Sequence, residues 1–193
     1  MKSISSFFFV LLLTLWSYQI LATIEVETPT PTTAKATAEP KGSDLIAKTC
    51  ERTLYKDLCK ASLYSIPNSN QADLRGLAGI ALKLASTNAT NISKDITKSL
   101  SGKLDPVMQQ CLSDCSENYI DAIDQIRDSM TALDAKAYND ANTWVTAAMS
   151  DADSCEQGFD DQGAQESPLK AKSTTFSQLC SNALAIVNLL AGK

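Results

Sequence analysis

Apolar residues recur at helical spacing along four long stretches of the chain after residue 70. The steps between them alternate between three and four residues, so each stretch would carry one apolar edge along a helix. Four amphipathic helices with short connections predict an all-α, up-down-up-down four-helix bundle over residues 70–192. The four seams are Leu74, Leu77, Ala81, Leu84, Ile92, Ile96 and Leu100; Met108, Cys111, Cys115, Tyr119, Ala122, Ile126 and Leu133; Tyr138, Ala141, Val145, Ala148, Ala152, Cys155 and Phe159; and Phe176, Leu179 or Cys180, Ala183, Val187 and Leu190.

A shorter unit over residues 43–66 precedes the bundle. It contains Cys50 and Cys59, separated by eight residues that can close as a helical hairpin. A disulfide between them would stabilise a piece too short to be stable alone, by about 2–3 kcal/mol in the loop-entropy model. The hairpin and the bundle together form one predicted domain, residues 43–193.

The first 42 residues have a different composition. Lys2 followed by the apolar run Phe7 to Leu15 is typical of a secretory signal peptide, which we assign to residues 1–23. The run is too short to span the ~30 Å hydrocarbon core of a bilayer, so no membrane association is expected after cleavage. Residues 24–42 are rich in Thr and Pro and predict a flexible leader. We therefore expect a secreted protein.

Composition narrows the chemistry that the chain can perform. It has no His, which excludes His-based triads, His general bases and His metal ligands. Six Cys behind a signal peptide indicate disulfides rather than thiolate chemistry or a zinc site. The net charge of −5 gives no electrostatic reason to bind nucleic acid and suits a basic partner. We predict no catalytic residue, no metal and no cofactor.

Acidic residues form a helical stripe of their own on the second long segment. Each lies two positions after a seam residue, about 200° around the helix, and so on the outer side of the bundle. A solvated surface is the ordinary interpretation of such a stripe. Clustered carboxylates without Lys at i+4 repel one another, however, which favours a binding face. The stripe is Glu117, Asp121, Asp124 and Asp128.

Two adjacent glycosylation sequons occur in the first long segment, at Asn88 and Asn91. Asn88 follows the seam residue Leu84 by four positions and lies on or near the apolar edge. Asn91 is therefore the better acceptor.

Several short motifs, in order and at characteristic spacing, resemble the plant invertase and pectin methylesterase inhibitors. The resemblance covers residues 43–192. It rests on the Cys50 to Cys59 turn, Asp73-Leu-Arg-Gly-Leu-Ala78, Cys115-Ser-Glu-Asn-Tyr119 with Asp121-Ala-Ile-Asp124, Ala147-Ala-Met149, Asp153-Ser-Cys155-Glu156, Gly158-Phe159, and Leu179-Cys180-Ser-Asn182-Ala-Leu with Asn188-Leu-Leu190. The family fold is a helical hairpin leading a four-helix bundle.

The resemblance also implies which cysteines pair. The family's bridges correspond to Cys50–Cys59 and Cys115–Cys155, and the second suits the spacing, since both residues lie on seams of adjacent helices. Cys180 matches a cysteine that is unpaired in pectin methylesterase inhibitors, whereas Cys111 departs from the pattern. Two buried thiols and a third bridge between them both remain open.

The function implied is non-covalent inhibition of a cell-wall enzyme in the apoplast by occluding its substrate cleft. The residues matching the family's contact surface are Glu117, Asp121, Asp124 and Ser154, where the family often has Thr. Invertase inhibitors of the best-known kind carry Pro-Lys-Phe between the second and third bundle helices, and this chain has Asp-Ala-Lys-Ala-Tyr at 134–138 instead. Pectin methylesterase is therefore the expected partner, with acid invertase as the alternative.

Overall fold

The structure, a computed structural model, describes residues 43–164 and 166–193. The predicted signal peptide and leader lie outside these residues. Every regular element in the described residues is a helix, and these residues contain no strand. This confirms the all-α prediction. The helices are α1 (Ser43–Cys50), α2 (Lys56–Tyr64), a 3-10 turn (Ser69–Gln71), α3 (Leu74–Leu100), α4 (Pro106–Asp134), α5 (Tyr138–Asp161) and α6 (Lys170–Leu190).

The long helices begin where the sequence supplies capping groups. Asp73 accepts a hydrogen bond from the Gly76 amide at 2.7 Å and caps α3. Asp105 caps α4 in the same way, and Pro106 occupies the first turn, where its missing N–H costs nothing. The last helix begins at Lys170, six residues before Phe176, the first residue of its predicted seam. Its first turn is fixed by the Ser173 amide, which donates to the Leu169 carbonyl at 2.9 Å, and by the Leu169 amide, which donates to Ser167 Oγ at 3.1 Å.

Helices α3 to α6 form the four-helix bundle. Each packs against two neighbours in the cyclic order α3, α4, α5, α6, so α3 and α5 lie on one diagonal. The most extensive contact is between α4 and α5. There the disulfide Cys115–Cys155 joins the backbones at a Cα–Cα distance of 4.6 Å, and the Ser129 hydroxyl donates to the Ala141 carbonyl at 3.0 Å. These contacts fix the antiparallel register of the two helices.

The buried face of α3 is rotated slightly around the helix axis from the predicted seam. Leu84, a predicted seam residue, is only half-buried, whereas Leu82, Ala85 and Ala89 are fully buried. The reason is that α3 packs against two helices, α4 and α6, and needs a buried face wider than a single line of residues.

A disulfide closes the N-terminal hairpin, and an amide clamp holds the hairpin to the bundle. Cys50 and Cys59 are bonded and buried, which closes α1 against α2. The side chain of Asn182, on α6, donates to the Tyr55 carbonyl at 3.1 Å and accepts from the Tyr55 amide at 3.3 Å. The clamp gives the Tyr55 amide its hydrogen-bond partner, while the Tyr55 carbonyl also accepts from the Cys59 amide at 2.9 Å.

Cys111 and Cys180 are buried free thiols in this structure. Burial raises the pKa of both thiols above the ordinary cysteine value, and the nearby Asp114 and Asp105 carboxylates add to the effect at Cys111. Both side chains therefore behave as small apolar core residues and not as nucleophiles.

Candidate functional site

The acidic stripe on α4 lies on the outer surface of the bundle. Glu117, Asp121, Asp124 and Asp128 are all exposed, and each follows a fully buried residue by two positions. The last turn of α4 leads into α5 through Lys136, a non-glycine residue at φ 59° in the position where helices usually carry Gly. This tight turn returns α5 directly beside the stripe.

One member of the stripe has a partner that the sequence analysis missed. Arg127 donates to the Asp124 carboxylate at 2.5 Å, an i, i+3 pair with both side chains more than half exposed. Glu117, Asp121 and Asp128 form no ion pair with any residue that the structure describes. The uncompensated negative charge therefore lies on these three carboxylates.

A fifth carboxylate lies beside the stripe, on α5. Asp151 is half-buried, and its Oδ2 atom is buried without a hydrogen-bond partner among the described residues. Burial is the largest cause that raises the pKa of Asp151, and the neighbouring Asp121 carboxylate raises it further, while the Gln125 side chain partly counters both. Asp151 on α5 therefore lies close enough to Asp121 on α4 for the two negative charges to repel each other, and the Gln125 side chain is a hydrogen-bond partner of Asp151.

Two large apolar side chains are exposed on the same helical pair. Ile120, on α4, is 52% exposed between Glu117 and Asp124, and Trp144, on α5, is 40% exposed. Neither residue was predicted as part of the site, because neither belongs to a buried seam. The sequence does indicate them, since each is a large apolar residue at a position that the helical period places on the outer side.

A buried polar network fixes the inner side of this face. The Tyr119 hydroxyl donates to Ser173 Oγ at 2.9 Å, and the Ser173 hydroxyl donates to the Glu156 carboxylate at 2.6 Å. Ser167 donates to the same carboxylate oxygen at 3.2 Å. Burial raises the pKa of Tyr119 to about 12, with the Ser173 hydrogen bond opposing the shift. The network ties α4, α5 and α6 together and holds the acidic helices in place.

The described part of the molecule is electrically polarised. Residues 106–161, which comprise α4, α5 and their turn, carry twelve acidic and two basic side chains, a net charge of −10. The other described residues carry seven acidic and twelve basic side chains, a net charge of +5. We call the outer surface of α4 and α5 the acidic face. It has the properties of a surface that binds a basic partner.

The remaining predicted site residues occupy different places. Ser154 is exposed on α5, near the Cys115–Cys155 bridge. Asn88 and Asn91 lie on α3, away from the acidic face. In the part of the chain that the structure describes, no group of His, Cys, Asp and Glu could hold a metal ion, and no helix is long and apolar enough to cross a membrane.

The raised pKa of Asp151 predicts that Asp151→Asn makes the fold more stable, by an amount that depends on pH. Ionising this carboxyl costs more in the folded than in the unfolded chain, so its contribution to stability is lost as the pH rises through its folded-state pKa. The variant should therefore be more stable than the wild type at about pH 7, and the difference should shrink toward the ordinary aspartate value of 3.8. Urea denaturation across this range measures the difference.

Asp121→Asn provides the matching control, because it removes one of the causes of the shift. Adding Asp151→Asn to this background should then produce a smaller gain at about pH 7 than in the wild type. An equal gain in both backgrounds, or a gain that does not change with pH, would contradict the assignment.

Three comparisons with known proteins indicate the same family of inhibitors. The model of the family described as plant invertase/pectin methylesterase inhibitor matches residues 44–186. A pectinesterase inhibitor from Actinidia deliciosa is 33% identical over 148 residues, which cover 77% of this chain and 80% of that protein. The cell wall / vacuolar inhibitor of fructosidase 2 from Arabidopsis thaliana is 34% identical over 74% of this chain and 77% of its own length.

The fold matches solved structures as well. The crystal structure of a mutant form of a pectin methylesterase inhibitor from Arabidopsis superposes with a TM-score of 0.65 and 26% identity, covering 75% of this chain and 95% of that one. With its helical hairpin, its four-helix bundle and a family match across nearly all described residues, the chain belongs to the plant invertase/pectin methylesterase inhibitor family, whose members inhibit enzymes and are not enzymes themselves.

Proposed function

We propose that this protein is secreted into the plant cell wall and inhibits a pectin methylesterase by covering its substrate cleft with the acidic face. The observation that carries the proposal is the excess of twelve acidic over two basic side chains on α4 and α5. A pectin chain is itself a linear polymer that bears carboxylates, so a cleft that receives it suits a negatively charged helical ridge. The inhibitor then acts as a non-covalent, stoichiometric plug.

The geometry of the acidic face supports a rigid plug. The disulfide Cys115–Cys155 and the Tyr119–Ser173–Glu156 network hold the α4 and α5 backbones before any partner arrives. A pre-organised face loses little conformational freedom on binding, so more of the contact energy contributes to affinity. Exposed charge mainly accelerates association and selects the partner, while the buried contact area determines how long the complex lasts.

Reversing two charges of the stripe should weaken inhibition strongly. We expect Glu117→Lys with Asp121→Lys to raise the inhibition constant against pectin methylesterase by about 100-fold or more, because each lost charge pair in a desolvated interface costs several kcal/mol. Titrating the same proteins in parallel against acid invertase identifies the target. Inhibition of invertase alone by the wild type would replace pectin methylesterase with the alternative partner.

Asp57→Lys with Glu166→Lys is the matched control. It changes the net charge equally, at two exposed positions outside α4 and α5. This control should inhibit like the wild type. Equal loss in both double variants would mean that overall charge, and not the acidic face, governs binding. Circular dichroism should show the same helix content in all three proteins.

Ile120 should act as the apolar contact at the centre of the acidic face. An apolar side chain ringed by charges is the usual arrangement of an energetic centre in an interface. We expect Ile120→Ala to weaken inhibition by about 5- to 10-fold, mainly through faster dissociation. Leu54→Ala, at a residue that is 76% exposed in the loop between α1 and α2, is the control. Inhibition constants within twofold for both variants would exclude this role for Ile120.

We also propose that Asn91 carries an N-linked glycan. Asn91 is exposed on α3, whereas Asn88 is half-buried and its Oδ1 atom is buried without a hydrogen-bond partner among the described residues. In protein from a plant or yeast secretory host, Ser93→Ala should abolish the glycan and Thr90→Ala should leave it. Peptide mapping after peptide-N-glycosidase treatment, which converts the modified Asn to Asp, reads out the site. Conversion at Asn88 alone would overturn the assignment.

A further inference from the structure

The outer side of α3 carries a stripe of opposite sign to the acidic face. Its residues each lie two positions after a buried residue of α3, about 200° around the helix, as the acidic residues do on α4. They are Lys83, Thr87, Asn91, Lys94 and Lys98, following Ala81, Ala85, Ala89, Ile92 and Ile96. All five are exposed, and from the first lysine to the last the stripe spans about 22 Å of helix. We call it the lysine stripe.

The three lysines of this stripe have no internal counter-charge. None of them forms an ion pair with a residue that the structure describes. The helix has one acidic side chain, Asp95, and the ammonium group of Lys172 on α6 neutralises it. The positive charge of the stripe is therefore available to an external anion. Two polar residues of the stripe lie between the lysines, Thr87 and Asn91. The Thr87 hydroxyl donates to the Lys83 carbonyl at 2.8 Å and retains acceptor capacity for a polar ligand.

The negative charge of the chain as a whole does not prevent this. It is concentrated on α4 and α5. Helix α5 lies diagonally across the bundle from α3, whereas α4 packs directly against α3. With neighbouring axes about 10 Å apart, the diagonal axes lie about 14 Å apart, so the charges of α5 are largely screened at 0.1 M salt, where the Debye length is about 10 Å. The acidic stripe of α4 lies on the outer side of its own helix, so the lysines are the nearest charges to a ligand on the outer side of α3.

We propose that the lysine stripe binds a linear acidic polysaccharide, specifically the polyuronate that remains when the methyl esters of pectin are hydrolysed. A straight row of cations over several helical turns matches an extended polymer with regularly repeated carboxylates better than a compact anion. The Thr87 hydroxyl accepts a hydrogen bond from one of its hydroxyl groups. This binding requires a chain without a glycan at Asn91, because a sugar chain there would cover the middle of the stripe. The molecule then has two charged surfaces with separate partners: the acidic face for an enzyme and the lysine stripe for the polymer.

Affinity electrophoresis of the oxidised mature protein in gels containing de-esterified polygalacturonate tests the proposal. The protein is made with Ser93→Ala, which removes the Asn91 sequon and keeps the Asn91 amide, so that neither a sugar chain nor a new carboxylate interferes with the lysines. This protein, which serves as the wild type for the variants below, should be retarded by polygalacturonate, less by highly methyl-esterified pectin, and not by neutral dextran. Retardation should fall as salt is added. The triple variant Lys83→Gln, Lys94→Gln, Lys98→Gln should bind about tenfold more weakly, as expected for the loss of three exposed charge contacts.

The matched control is Lys48→Gln, Lys136→Gln, Lys193→Gln, which removes the same charge from exposed positions outside α3. It should bind within twofold of the wild type. Equal loss in both triple variants, equal retardation by dextran, or no retardation of the wild type would each overturn the proposal. Stronger capture by anionic lipid vesicles than by polygalacturonate would also overturn it. Enzyme inhibition is a separate measurement, so failure here leaves the proposed function standing, and the reverse also holds.

Discussion

The acidic face of this bundle depends on the close approach of α4 and α5. The two helices and their turn carry a net charge of −10, and their mutual repulsion must be overcome where they touch. Small residues at the contact, including Ala122, Ala141 and Ala148, are fully buried and allow the backbones to approach closely. The disulfide Cys115–Cys155, whose Cα atoms are 4.6 Å apart, then fixes that approach covalently. Without this contact the carboxylates of α4 and those of α5 would not form one surface.

The fold could be predicted from the sequence to within a few residues, because helical periodicity and capping chemistry are local signals. The seam on α4 contained the buried residues Tyr119, Ala122 and Ile126 that the structure places in the core, and the Asp105-Pro106 entry gave the start of that helix. Periodicity also determined which side of α4 is outward. That is why the four residues of the acidic stripe are exposed.

The details of the candidate site could not be predicted in the same way. A helical period gives the angle of a residue around its own axis, but not which residue of a neighbouring helix lies opposite. The approach of Asp151 to Asp121 depends on the register between α4 and α5, and the capture of Asp124 by Arg127 depends on side-chain conformations. The exposure of Ile120 followed from the period, but a search for buried seams disregards such a residue.

The half-buried position of Asp151 has a consequence for how the acidic face responds to its surroundings. The chain contains no His, the side chain whose ordinary pKa lies in the mildly acidic to neutral range. The face therefore has no imidazole that could respond to acidity. Asp151 does respond, because burial and the neighbouring Asp121 carboxylate raise its pKa. Protonation there removes one negative charge from the boundary between α4 and α5, so acid lowers the charge of the face at a position that the bundle itself half covers.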